Sequence, residues 1–120
     1  MSKKILLVDD DKEIVTLMQK SIKAAGFQVA VAQNAKSAME VVEEGNVDLL
    51  VLDIMMPGLD GTKLCWVLKE GTKYQDIPII IVSGKAKQDV KKLANEVGAE
   101  AYIPKPFEPQ ELLSKINELV

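Results

Sequence analysis

A chain of 120 residues, 48% of them hydrophobic, can bury one sizeable core and is too apolar to stay disordered. A net charge of −3 weighs against a nucleic-acid-binding face, and a single cysteine excludes an internal disulfide and fits a reducing cytoplasm. No apolar run approaches the roughly 20 residues of a membrane span, and no small-residue cleavage site follows Met1-Ser2-Lys3-Lys4, so neither membrane insertion nor a secretory leader is expected. The complete lack of histidine removes the commonest general base and every imidazole metal site, leaving carboxylates, lysines, hydroxyls and backbone groups to carry any chemistry.

In chain order, Ile5-Leu6-Leu7-Val8 reads as a buried strand. Ile14, Leu17, Met18, Ile22 and Ala25 follow at helical spacing, with Gly26 as a stop. Val29 to Ala32 is a second strand, and Asn34 is an N-cap for a helix carrying Ala38, Met39, Val41 and Val42 that stops at Gly45. Leu49-Leu50-Val51-Leu52 is a third, wholly apolar strand. After the turn through Pro57-Gly58-Leu59-Asp60-Gly61, a third helix turns Leu64, Val67 and Leu68 inward. Ile79 to Val82 is the fourth strand, and Val90, Leu93, Ala94 and Val97 mark a fourth helix ending at Gly98. Ala101-Tyr102-Ile103 is a short fifth strand, and Pro109 opens a fifth helix with Leu112, Leu113, Ile116 and Leu119 facing inward. Strands apolar on both faces, alternating with helices and uninterrupted by a linker, imply one α/β domain over residues 1–120, a doubly wound parallel sheet of five strands covered by five helices.

In such a sheet, ligands bind beyond the carboxyl ends of the strands, where the strand order reverses. The residues that follow each strand therefore matter most. They are Asp9-Asp10-Asp11 after the first, Gln33-Asn34 after the second, Asp53 after the third, Ser83-Gly84 after the fourth and Pro104-Lys105-Pro106 after the fifth. For the common order 2-1-3-4-5, the first and third strands are neighbours, so Asp9, Asp10 and Asp53 should share one pocket. Two carboxylates ~4 Å apart repel by roughly 1 kcal/mol in water and 4 at an intermediate dielectric, which favours a joining cation. Oxygen ligands without histidine or cysteine suit Mg2+ or a similar hard ion such as Mn2+. Lys105 and Ser83 suit a phosphoryl group, and Asp53 becomes a candidate nucleophile for an acyl phosphate.

Ile5-Leu6-Leu7-Val8-Asp9-Asp10-Asp11, Leu52-Asp53-Ile54-Met55-Met56-Pro57-Gly58-Leu59-Asp60-Gly61, Ile81-Val82-Ser83-Gly84 and Tyr102-Ile103-Pro104-Lys105-Pro106-Phe107 together make the chain resemble the receiver domain of response regulators. Threonine is as usual as Ser83 in that pattern, and alanine is common where Gly84 stands. The resemblance implies a flavodoxin-like, chemotaxis-regulator-like fold and a stoichiometric switch rather than a turnover enzyme. It implies that Asp53 accepts a phosphoryl group from a phosphohistidine on a sensor histidine kinase or histidine phosphotransfer protein. Asp10, Asp53 and the carbonyl of Met55 would bind the metal, with Asp9 beside them, and Lys105 would neutralise charge on the phosphoryl oxygens across a cis Lys105–Pro106 bond. Ser83 would turn to donate to the phosphoryl group and Tyr102 would move inward, changing the face of helix four, strand five and helix five that a downstream protein target reads.

Several residues have plainer readings. Asp11 serves best as a helix cap. Cys65 should be a partly packed small residue. Lys85, Lys87, Lys91 and Lys92 make a solvated basic face at the start of the fourth helix. Trp66, two positions from the expected inward side of its helix, should point outward and is a candidate partner contact. A rival function is a Mg2+-dependent phosphohydrolase resembling the haloacid dehalogenase group, with Asp9-Asp10-Asp11 after its first strand, but no capping domain follows. A phosphorylation-independent binding module is a second rival, against which the acidic pair and lysine argue. A dinucleotide site is disfavoured because no G-x-G-x-x-G loop follows the first strand.

Overall fold

The computed structural model describes residues 2–53, 61–70, 73–84, 91–92, 94–96 and 98–120, the side chains of residues 61–63 and 66 excepted. Five parallel strands, β1 (Lys4–Val8), β2 (Gln28–Ala32), β3 (Leu49–Asp53), β4 (Ile79–Ser83) and β5 (Ala101–Pro104), form one sheet in the order β2-β1-β3-β4-β5. The helices are α1 (Lys12–Ala24), α2 (Ala35–Glu44), α3 (Gly61–Glu70) and a C-terminal helix (Pro109–Leu119), and residues 91, 92 and 94–96 are helical as well. The expected order and alternation are both present.

The reason lies in the central strands. Every residue of β3 and β4, and Ile5 to Val8 of β1, is buried, so these strands need cover on both faces. Alternate side chains supply the two covers. Leu6, Val8, Leu50, Leu52 and Ile81 pack with Ala38 and Val42 of α2 and with Leu64, Cys65 and Leu68 of α3. Ile5, Leu7, Val51, Ile80 and Val82 pack on the other side with Met18 and Ile22 of α1 and with Leu112 and Ile116 of the C-terminal helix.

The helix boundaries follow from local chemistry. Asp11 caps α1, accepting from the N–H groups of Glu13 at 3.1 Å and Ile14 at 3.3 Å. Asn34 caps α2 through Ser37 N–H at 2.8 Å. Gly26 and Gly45 take φ of 97° and 93° just past the ends of α1 and α2, a left-handed geometry that side chains resist. Pro109 sits in the first turn of the C-terminal helix.

Three expectations are corrected. Val67 is 47% exposed rather than inward, because the buried stripe of α3 runs through Leu64, Cys65 and Leu68. Cys65 is accordingly fully buried, not partly packed. In the C-terminal helix Leu112 and Ile116 are buried, whereas Leu113 and Leu119 only flank that core. The turn at 57–60, the side chain of Trp66, and Lys85, Lys87, Val90, Leu93 and Val97 lie outside the described residues.

Candidate functional site

Strand register brings the reactive side chains together. Val8 pairs with Leu52, Asp53 with Val82, and Ser83 with Pro104, so the residues closing β1, β3, β4 and β5 line one rim of the sheet. Asp9 extends β1 by one residue, its N–H donating to Ala32 O of β2 at 3.3 Å, and the pairing of Val8 with Leu52 sets it beside Asp53. The N–H of Lys105 donates to Ser83 O at 2.6 Å, carrying the end of β5 across the same rim, and Lys105–Pro106 is cis.

At the centre stands the ammonium of Lys105. Its Nζ lies 2.8 Å from Asp53 Oδ2 and 3.3 Å from Asp9 Oδ2. The other oxygen of Asp9, Oδ1, accepts from Asp11 N–H at 2.9 Å. Asp9 and Asp53 are only 2% and 7% exposed, and Ser83 is fully buried at the end of β4. Asp10, by contrast, is exposed: the chain bends there, with Asp11 N–H turned back onto Asp9 Oδ1, so only one of the pair turns inward. Tyr102 is half-buried against the core shared with α2 and α3.

Burial raises the pKa of Asp9, and the Asp53 charge adds to it; the Asp11 amide and the Lys105 ammonium offset this only in part. Burial pulls Lys105 down, but its hydrogen bond to Asp53 and the charges of Asp53 and Asp9 outweigh burial and hold it above its ordinary value. Two carboxylates are thus held close by one cation at the sheet's switch point.

Among the described residues, no group of three or more acidic, cysteine or histidine side chains is placed to hold a metal ion. Of the four expected ligands, Asp9 and Asp53 are drawn to Lys105, Asp10 is exposed, and Met55 lies outside the described residues. The donor chemistry still fits a hard divalent ion. The rim offers carboxylate oxygens with no competing sulfur or imidazole, and Mg2+ asks typically for only one or two carboxylates beside water.

Two features were not foreseen. Lys105 spans two carboxylates at once, which depends on side-chain conformation as well as strand order. Asp11, foreseen as a cap, also donates its amide to Asp9.

The model of the response regulator receiver domain matches residues 5–117. The chain is 37% identical over its whole length to the alkaline phosphatase synthesis transcriptional regulatory protein PhoP of Bacillus subtilis, and it spans 49% of that relative. Its fold matches a CheY-like response regulator receiver domain protein from Methanospirillum hungatei, with a TM-score of 0.88 and 31% identity over 98% of this chain and 93% of that one. It also matches the response regulator protein TrrA of Thermotoga maritima, solved in complex with Mg2+–BeF, with a TM-score of 0.85 and 30% identity over 98% and 99% of the two chains. These matches set aside the phosphohydrolase and dinucleotide readings. The chain belongs to the response regulator receiver domain family, the phosphoacceptor switches of two-component signalling.

Proposed function

We propose that Asp53 is the phosphoacceptor of a signalling switch. The observation that carries this reading is the position of Lys105 Nζ, 2.8 Å from Asp53 and 3.3 Å from Asp9 at the carboxyl rim of the sheet. A carboxylate oxygen of Asp53 forms a bond to phosphorus while the bond from phosphorus to a donor imidazole nitrogen breaks. The electron pair leaves with the imidazole, and Asp53 carries an acyl phosphate. Lys105 is placed to meet the charge that gathers on the phosphoryl oxygens, and the Ser83 hydroxyl, once turned toward them, donates a hydrogen bond. Asp9, Asp10 and Asp53, with the carbonyl of Met55, would hold Mg2+ or Mn2+, which when bound neutralises phosphoryl charge.

The reaction is stoichiometric, and the chain supplies the groups for its own phosphorylation and for the later hydrolysis. Residues 1–120 act as one receiver domain in the cytoplasm, with a sensor histidine kinase or histidine phosphotransfer protein as donor. The output is a change at Tyr102. That residue lines a groove of about 420 Å3 with Lys91, Asn95, Glu111 and Lys115, on the face expected to meet a downstream protein. Two or three charge-assisted hydrogen bonds at roughly 1.5–3 kcal/mol each are enough for the ~5.5 kcal/mol that takes a two-state equilibrium from 1:99 to 99:1. Intact-mass spectrometry after incubation with acetyl phosphate tests the reading. Wild type gains one phosphoryl group only with Mg2+, and Asp53→Asn gains none; uptake by Asp53→Asn, or none by wild type, contradicts it.

A further inference from the structure

The acidic run at residues 9–11 holds one carboxylate for which the proposed chemistry has no use, and its contacts give it a different task. Asp11 Oδ1 accepts from the N–H groups of Glu13 and Ile14 at 3.1 and 3.3 Å, two of the amides that the start of α1 leaves without helical partners. The Asp11 carbonyl accepts from Val15 N–H at 2.9 Å, the first bond of the helix. Its backbone is extended, with φ −83° and ψ 104°, as an N-cap requires. That break in the helical path leaves the Asp11 amide free of α1, and the amide donates instead to Asp9 Oδ1 at 2.9 Å. From there the chain of contacts continues through Asp9 Oδ2 to Lys105 Nζ at 3.3 Å and on to Asp53 Oδ2 at 2.8 Å.

Asp9 is 2% exposed, so water cannot settle its orientation. Two donors do so, one on each oxygen. Lys105 sits on a flexible stem, whereas the Asp11 amide is fixed to the first turn of a thirteen-residue helix. With the side-chain cap removed, only the Val15 N–H bond to the Asp11 carbonyl still ties that residue to the helix, and its hold on Asp9 loosens. We propose that Asp11 is a positioning residue for phosphoryl transfer, acting by capping α1 so that its amide fixes Asp9, and not as a third acid of the site. This role rests on the reading of Asp53 as the phosphoacceptor.

The substitutions separate cap from charge. Asn and Ser cap a helix as Asp does but carry no charge, and Ala does neither. Phosphorylation rates with acetyl phosphate and Mg2+ are measured for Asp11→Asn, Asp11→Ser and Asp11→Ala at a temperature where each is folded, as judged by its melting curve. Asn34→Ala serves as a control, since it removes the cap of α2, whose side-chain bond runs to Ser37 N–H within that helix. Asp11→Ala slows the reaction by about tenfold, part of the hundredfold that a misplacement of about 1 Å can cost. Asp11→Asn and Asp11→Ser keep most of the rate, and Asn34→Ala leaves it unchanged. Equal losses in all three Asp11 variants would mean that the charge matters. Full activity in Asp11→Ala, or an equal loss in Asn34→Ala, would remove the positioning role. An inactive wild type would instead overturn the reading of Asp53, and this role with it.

Discussion

Asp9 lies between an amide and an ammonium, yet burial outweighs both donors and raises its pKa. A raised carboxyl binds its proton more tightly in the native than in the unfolded state, so stability falls as pH rises from the ordinary carboxylate value through the raised one. Below the ordinary value both states are protonated and the penalty vanishes. Asp9→Asn therefore stabilises the metal-free protein at neutral pH, because it removes the charge that burial disfavours. In urea denaturation across pH, that gain grows from nothing in acid to a plateau; a less stable variant at pH 7 would contradict the account. Cys65 follows a related logic. Burial is the main cause that pushes its thiol up to about 12, so iodoacetamide at pH 8 should label it only after denaturation, and rapid labelling of the native protein would show the site open. At this scale, the convergence of Asp9, Asp53, Ser83 and Lys105 was legible because each directly follows or closes a strand. The exposure of Asp10 and the double contact of Lys105 were not, since they depend on how the chain bends after β1 and on how a flexible stem folds.

Helix α3 shows where pattern reading reaches its limit. Leu64, Val67 and Leu68 suit an inward stripe by spacing, but Leu64, Cys65 and Leu68 suit it equally, and the choice between Cys65 and Val67 turns on how α3 rolls on the sheet. On α1, Leu17 is 54% exposed for a different reason: it forms one wall of an apolar groove of about 300 Å3, with Ile14, Phe107 and Leu112. Beyond periodicity lies a tie no spacing reveals. Lys69, near the end of α3, donates to the carbonyls of Gln75 and Ile77 at 3.1 and 2.8 Å and to Glu100 Oε2 at 2.9 Å. Glu100 Oε1 in turn accepts from Ile79 N–H at 3.0 Å, where β4 begins. One ammonium thus joins α3 to the entries of β4 and β5. Glu100→Ala leaves that ammonium and the Ile79 amide short of a partner and should lower stability by about 1–3 kcal/mol. An unchanged urea midpoint would show water replacing the carboxylate at no cost.

For the molecule as a whole, the order β2-β1-β3-β4-β5 does the positioning, because it makes the first and third strands neighbours and sets their terminal acids side by side. That much could be read from strands with no polar face, since a sheet covered on both sides by helices has few arrangements to choose from. The surfaces that partners use are less legible, because exposed residues answer to the partner rather than to the fold. Among the acids that this order gathers at the rim, Asp53, with Lys105 Nζ at 2.8 Å, is the expected acceptor. Borohydride reduction of the protein after treatment with acetyl phosphate and Mg2+, followed by peptide mass spectrometry, converts an aspartyl phosphate to homoserine and so reads the position directly. Homoserine at position 53 is the expected product; homoserine at position 9, 10 or 11, with Asp53 unmodified, would overturn the role given to Asp53.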